Sequence, residues 1–374
     1  MKHYRLRTLL LPSVLGLTAL CIAPPSLQAQ GGYRQTNLVS DIPGLAAHTD
    51  SHLVNPWGIS SGPTSPLWVS NAGTGTSTLY NSSGMSLPLV VTVPGEPTGQ
   101  VFNANTSFFN GSRFLFASAT GTITGWNPSL GTTAQTIVTT PGAAYLGLAL
   151  AQSGSEPMLY AANFANASVD VFNGSGHATT LSGNFSDPTL PAGYAPFNIQ
   201  NVGGTLYVAY AKQAGDEEQP GAGLGYVNKF DLNGNFLGRF ASNGVLNAPW
   251  AITQAPDSFG QFGGDILVGN FGDGMIHAFD PVTGDLVGTL KDAKGNPLVN
   301  EGLWGLQFGN GGAGGDRNKL YFAAGIDDES HGLFGSFTPV PEPAAYALAG
   351  LAIIGFRVAL KLRRRQSVSR PVEG

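Results

Sequence analysis

A dense group of ionisable side chains in the 374-residue sequence is the run DDESH, which brings Asp327, Asp328, Glu329 and His331 within five positions. Glu301 stands upstream of it, at the start of EGLWGL. Oxygen donors of a second kind, Asn71, Asn163 and Asn270, end three similar runs, LWVSN, LYAAN and ILVGN, and His52 precedes NPWGIS. Carboxylate and amide oxygens at irregular spacing suit a hard cation, because calcium takes six to eight oxygens and tolerates uneven geometry, whereas zinc prefers nitrogen and sulfur. Carboxylates so crowded repel: two charges roughly 5 Å apart cost about 3 kcal/mol at an effective dielectric of about 20, and a divalent ion would reverse the sign. The expected cation set is therefore Glu301, Asp327, Asp328, Asn71, Asn163 and Asn270, with Glu329, His331 and His52 on the same face. The plainer alternative is that Asn and Asp beside glycine, as in NFGDG from Asn270 to Gly274, form tight turns, and that His331 is a hydrogen-bonded loop residue.

Other chemistries find less support. No serine sits in a strained strand-to-helix elbow, since the G-x-S-x-G match GISSG, from Gly58 to Gly62, runs into a Pro-rich turn; there is no phosphate-cradling G-x-x-x-x-G-K-[ST], and the glycine-rich GNGGAGGDRNK has no helix after it. Cys21, the only cysteine, lies in the leader, so a mature chain would carry neither a disulfide nor a thiol.

The elements that must position these residues are short strands. NAPWAITQAPDSFGQFGGDILVGNFGDGMIHAFDPVTGDLVGTL, from Asn247 to Leu290, holds four strand-like runs separated by Pro, Gly and Asp turn signals at hairpin lengths, one antiparallel meander. Runs like its second strand end at Asn71, Ser118, Asn163, Tyr210, Asn270 and Ala324, spaced by 47, 45, 47, 60 and 54 residues. Six such copies predict an all-β, six-bladed propeller of four-stranded antiparallel blades. The aromatics of the third strands, Tyr80, Trp126, Phe172, Phe230, Phe279 and Phe337, are expected to fill the space between blades. The last repeat has no fourth strand of its own, so YRQTNLVSD, Tyr33 to Asp41, is expected to supply it and close the ring. Two insertions, AKQAGDEEQPGAG in blade four and TQAPDSFGQFGG in blade five, read as surface loops, and the N-x-S/T triplets at Asn81, Asn105, Asn110, Asn166, Asn173 and Asn184 read as turn chemistry. In this architecture the starts of first strands and the ends of second strands share one end of the ring, which is the face the expected cation set would occupy.

The two tails carry the basic residues. Residues 31–338 contain 9 Lys or Arg and 21 Asp or Glu, 9 − 21 = −12, against −5 for the whole chain, so nucleic acid is excluded as a partner on charge. Residues 1–30 place Lys2, Arg5 and Arg7 before an apolar run and Ala29 near its end, as an export signal does. At the other end, residues 339–374 join Pro341, Glu342 and Pro343 to an apolar stretch from Ala344 to Leu360 and a basic cluster with Arg363, Arg364 and Arg365. Seventeen helical residues span roughly 25 Å, near the lower limit for crossing a bilayer. The tail resembles the PEP-CTERM signal read by exosortase-type proteases. That resemblance implies an inner-membrane-tethered precursor, an exosortase partner and delivery to the surface or matrix of a Gram-negative bacterium; a permanent single-span anchor is the alternative.

The body also resembles an uncharacterised family of bacterial propellers that often carry this tail. The stretches concerned are NPWGIS with LWVSNAGTGTSTLY, NIQNVGGTLYVAYAKQ, ILVGNFGDGMIHAFDPVTG, and LWGLQFGNG with DDESHGLFG; GYVNKFD, with Asn228, departs from that family's pattern. The resemblance implies the fold and supplies no activity. The sequence thus reads as an exported propeller serving as a binding module for an extracellular polysaccharide or protein. The alternative is a metal-dependent, lactonase-like hydrolase or lyase on the oxygen-rich face.

Overall fold

The computed structural model describes residues 31–340, and these form six sheets set around one axis. The innermost strands are Pro56–Ser60, Pro97–Phe102, Tyr145–Ser153, Tyr194–Val202, Pro249–Gln254 and Leu303–Phe308. Each packs against the next and the sixth against the first, so the ring is closed. Five blades have four antiparallel strands. Blade three has three, Tyr145–Ser153, Glu156–Asn163 and Ser168–Phe172, with only one bridge, Phe172 to Ala178, where a fourth would lie. The third-strand aromatics are core, as expected: none of Tyr80, Trp126, Phe172, Phe230, Phe279 and Phe337 is more than 7% exposed.

Closure comes from the N-terminal segment. Gly32–Ser40 pairs antiparallel with His331–Val340, from Gly32 opposite Val340 to Ser40 opposite Leu333, with a bulge between Asn37 and Val39. His48–Thr49 adds a short parallel strand outside it. The blade-six strand runs two residues past the expected end of the body, to Val340.

The blade-five insertion is not the surface loop its turn-forming composition predicts. Phe259 and Phe262 are buried, and both pack on Tyr33 of the closing strand with ring centroids 4.8 and 5.9 Å away. The Tyr33 hydroxyl donates to the Phe259 carbonyl at 3.0 Å, and the Tyr33 amide donates to Lys291 of blade five at 2.8 Å. Blade five therefore clamps the strand that completes blade six. The N-x-S/T asparagines do behave as turn formers: Asn81, Asn105, Asn173 and Asn184 each accept the backbone N–H two residues on.

Every inner pair carries a register shift near its start, between Pro56 and Ile59, Pro97 and Gln100, Tyr145 and Gly147, Pro196 and Asn198, Pro249 and Ala251, and Leu303 and Leu306. Such bulges bend a strand and re-aim its side chains. They coincide with small residues: a Cβ on Gly58 would stand 2.7 Å from the Thr98 carbonyl oxygen, and one on Gly99 2.7 Å from the Leu148 amide nitrogen. Neighbouring inner strands touch backbone to backbone.

Because Tyr33 is 1% exposed and holds blade five to the closing strand, Tyr33→Ala should cost about 3–5 kcal/mol, the usual range for emptying an aromatic core position. Urea denaturation of the purified protein reads this directly. A midpoint within experimental error of the wild type would mean that ring closure does not depend on this contact.

Candidate functional site

The residue after the inner-strand Pro or Leu is Trp57 in blade one, Trp250 in blade five and Trp304 in blade six. These three indoles meet at the axis. Trp57 and Trp304 stack at 3.4 Å between centroids, and Trp250 stands edge-on to both at 6.0 and 5.8 Å. Phe197 of blade four and Phe271 extend the cluster at 5.6 and 4.2 Å from Trp304. Each indole N–H is satisfied: Trp57 donates to Asn55 Oδ1, Trp250 to the Leu146 carbonyl and Trp304 to Glu329 Oε1. The end of the channel where inner strands begin, the entry end, is thus filled with hydrogen-bonded aromatic side chains.

That filling governs where the expected cation set lies. Asn71, Asn163 and Asn270 are buried within separate blades. Asn71 Nδ2 donates to Thr76 and Thr78, Asn163 Nδ2 to Asp170, and Asn270 Nδ2 to the Val245 carbonyl and Asp273. They cap the turns of their own blades and do not converge on the axis. Glu301, Asp327 and Asp328 are exposed in blade six; the Asp328 amide donates to Glu301 Oε1 at 3.4 Å, and the Ser330 hydroxyl donates to the Asp327 carbonyl. Among the described residues no three of His, Cys, Asp or Glu stand together at metal-binding distance. His52 pairs with Asp50 at 3.0 Å. His331 lies at the seam: its Nδ1 is 2.6 Å from Asp41 Oδ2, while the Gly332 amide donates to Asp41 Oδ1. Asp41 pushes the imidazole pKa upward, so this pair favours the closed seam while His331 is protonated.

Glu329 is the member of the acidic run that reaches the centre. Asp327, Asp328 and Glu329 all have positive φ, 56°, 50° and 63°, a left-handed turn of three residues that side chains disfavour. The turn delivers the Glu329 carboxylate to the Trp304 N–H. The blade-four insertion comes to meet it. Glu217 and Glu218 pair back onto Gln213 and Ala214, and Gly221 donates to Asn247 of blade five. Burial pushes the Glu329 carboxyl up to about 7, with the Glu218 carboxylate adding to the rise and the Trp304 N–H holding it back. Burial also raises Glu218, with Glu217 adding to it.

Beyond the tryptophans the channel is polar and uncharged. A narrow cavity is walled by Gln100, Asn198, Gln200, Trp250 and the backbone around Gly58 and Gly305. It shares Ile59, Gln100 and Gln200 with a wider one of about 260 Å³ at the exit end, where Ser60, Ser61, Phe102, Asn201 and Gln307 form the mouth. Gln100 Nε2 donates to the Gly58 carbonyl at 2.7 Å and the Trp68 carbonyl at 2.5 Å, and Asn198 Nδ2 to the Trp250 carbonyl at 2.7 Å. Gln100 Oε1 and Ser60 Oγ are buried without a partner. Sequence reasoning missed this lining. Its signal was positional: counted from Pro56, Pro97, Tyr145, Pro196, Pro249 and Leu303, glutamines stand at the fourth or fifth place, where the other copies carry Ile, Leu, Ser, Val, Ala or Thr.

Two proteins of Acanthamoeba polyphaga mimivirus resemble the chain along most of its length. Uncharacterized protein R648 is 37% identical over 324 residues, covering 80% of this chain and 78% of the viral one; uncharacterized protein L690 is 33% identical over 354 residues, covering 86% and 91%. The chain belongs to their family. Residues 339–365 match the PEP-CTERM protein-sorting motif, which implies export and recognition by an exosortase-type system in a Gram-negative bacterium. Among solved structures, a protein of unknown function from Bacteroides thetaiotaomicron aligns over 83% of this propeller's chain and 77% of its own, at a TM-score of 0.56 and 12% identity, a likeness of fold. The leader, residues 1–30, and the apolar tail, 341–374, lie outside the described residues.

The raised Glu329 carboxyl fixes a pH dependence. Its folded pKa of about 7 exceeds the ordinary 4.5, so between those values the folded state binds more protons than the unfolded one and stability falls as pH rises. Replacing it in Glu329→Gln should remove a decline of roughly 1–2 kcal/mol across that window, discounted for partial solvent screening. Parallel denaturation curves of the two proteins at pH 5 and pH 7.5 test this; equal declines would place the carboxylate in an ordinary, solvated environment.

Proposed function

We propose that the protein is a surface or matrix binding module: a propeller exported, sorted through its PEP-CTERM tail and released to hold an extracellular ligand. The observation that supports this reading best is the asymmetry of the channel. Its entry end is packed with three tryptophans whose N–H groups are all used, while its exit end opens to an uncharged polar mouth. Catalysis needs groups that change charge or an activated nucleophile; no titratable side chain lines that mouth, and its serines, Ser60 and Ser61, have no base among the lining residues. Orientation by neutral hydrogen-bonding groups is what recognition needs.

A second reading, a hydrolase or lyase, draws on one observation at the other end: Glu329, raised by burial and by the Glu218 carboxylate, and Glu218, raised by burial and by Glu217, the arrangement that lets a carboxyl act as a general acid near neutral pH. It would show as turnover of lactone or ester substrates that Glu329→Gln abolishes.

The binding reading is tested by adding processed protein, isolated from the culture, to cells of a strain lacking the gene. Saturable retention on the cell surface or matrix is expected, and uptake that rises linearly with concentration would remove the reading. Sorting is tested separately. Substituting alanine for Pro341, Glu342 and Pro343 keeps the apolar span and basic cluster, so full-length protein should accumulate in the inner membrane; release at the wild-type rate would leave the triplet no part in processing.

A further inference from the structure

We infer that the exit mouth takes a neutral saccharide unit, a deepening of the binding-module reading above. Three features of the mouth decide the ligand class. First, it contains buried polar atoms that the protein itself leaves unpaired, Gln100 Oε1 and Ser60 Oγ, on residues 4% and 6% exposed. An unpaired buried acceptor costs about 1–3 kcal/mol, so a ligand that donates hydrogen bonds there is favoured and an apolar one is penalised. Gln100 is held in place, because its Nε2 is fixed between the carbonyls of Gly58 and Trp68, and the residue lines both cavities.

Second, no ionisable side chain lines the mouth. A carboxylate, phosphate or ammonium entering it would lose water without gaining a counter-charge, a penalty larger than the hydrogen bonds on offer would offset. Third, the remaining wall alternates amides with apolar surface: Gln200 and Gln307 supply both donors and acceptors, and the half-buried ring of Phe102 stands beside them. A pyranose matches each of these features. Its vicinal hydroxyls donate and accept in pairs, as amides do, and its C–H face packs on an aromatic ring. At about 260 Å³ the cavity lies at the small end of ligand sites, which suits one sugar unit with the rest of a chain running outward.

The test uses the full chain in a detergent without a sugar headgroup, titrated calorimetrically with neutral oligomers of glucose, galactose and mannose, with an oligogalacturonate as the charged control. At least one neutral series should bind with a Kd in the millimolar range or tighter, and the uronate at least tenfold more weakly. Gln200→Ala and Gln307→Ala, both at the open end, should weaken binding at least tenfold with an unchanged thermal midpoint, while Gln200→Asn, which keeps the amide, should recover part of it. Absence of binding by all three neutral series overturns the inference, as does binding that Gln200→Ala leaves intact or that the uronate shares. Saturable cell-surface retention that survives both alanine variants would overturn the saccharide site alone and leave the binding module standing; loss of saturable retention in the wild type would remove the module itself.

Discussion

The structure depends on how closely six innermost strands can approach one another around a single axis. At their third position the strands are in contact: Gly58, Gly99, Gly147 and Gly305 leave no room for a side-chain carbon, blade five has alanine, Ala251, and blade four has Asn198, whose side chain lies against Gly147. This contact fixes the width of the channel. It also dictates what can stand immediately before the contact: where the strands part, at the bulged starts, the space is large enough for an indole, and three of six blades place one there. Beyond the contact the channel narrows and then widens to the mouth. The plug and the mouth are thus two outcomes of one packing constraint, with the closing strand and its Tyr33 anchor holding the ring against opening.

Much of the fold was legible because repetition multiplies weak signals. No single run such as LYAAN identifies a blade, but six of them at similar spacing do, and the unpaired YRQTNLVSD could be placed by noting which blade lacked a strand. Where repetition fails, legibility fails with it. The blade-five insertion has no counterpart in the other blades, and its Pro, Asp, Ser and Gly residues concealed the burial of Phe259 and Phe262, which depends on a partner 226 residues away. The fourth strand of blade three is absent because the chain after Ala178 leaves to meet Asn233 and Gly234 of blade four, a competition between two edges that composition does not register.

The site was harder to read than the fold. Charge draws attention in a sequence with so little of it, and it led to Glu301, Asp327 and Asp328, which lie in solvent. Of that acidic run only Glu329 reaches the axis, through three successive left-handed residues that no propensity would assign to Asp-Asp-Glu. The asparagines ending the second strands were grouped as cation ligands, yet they lie in separate blades and bond the residues of nearby turns, as the plainer alternative had it. The channel lining has the opposite difficulty. Glutamine within a strand carries neither charge nor periodic signature, and what distinguishes Gln100 is an oxygen without a partner, which only three-dimensional packing reveals.

Gly32 begins the outermost antiparallel strand of blade six and Val340 ends its neighbour, opposite one another in register, so both ends of the described chain emerge at the outer rim of the ring, on the end that carries the mouth. Only three residues, Pro341, Glu342 and Pro343, separate Val340 from the apolar stretch that starts at Ala344, a reach of about 10 Å when extended. A tail held in a bilayer would therefore keep that end of the ring on a short tether to the lipid surface. Loss of the tail would remove that tether and no strand of the propeller. Release from the membrane would then also free the end of the ring on which the proposed ligand mouth lies.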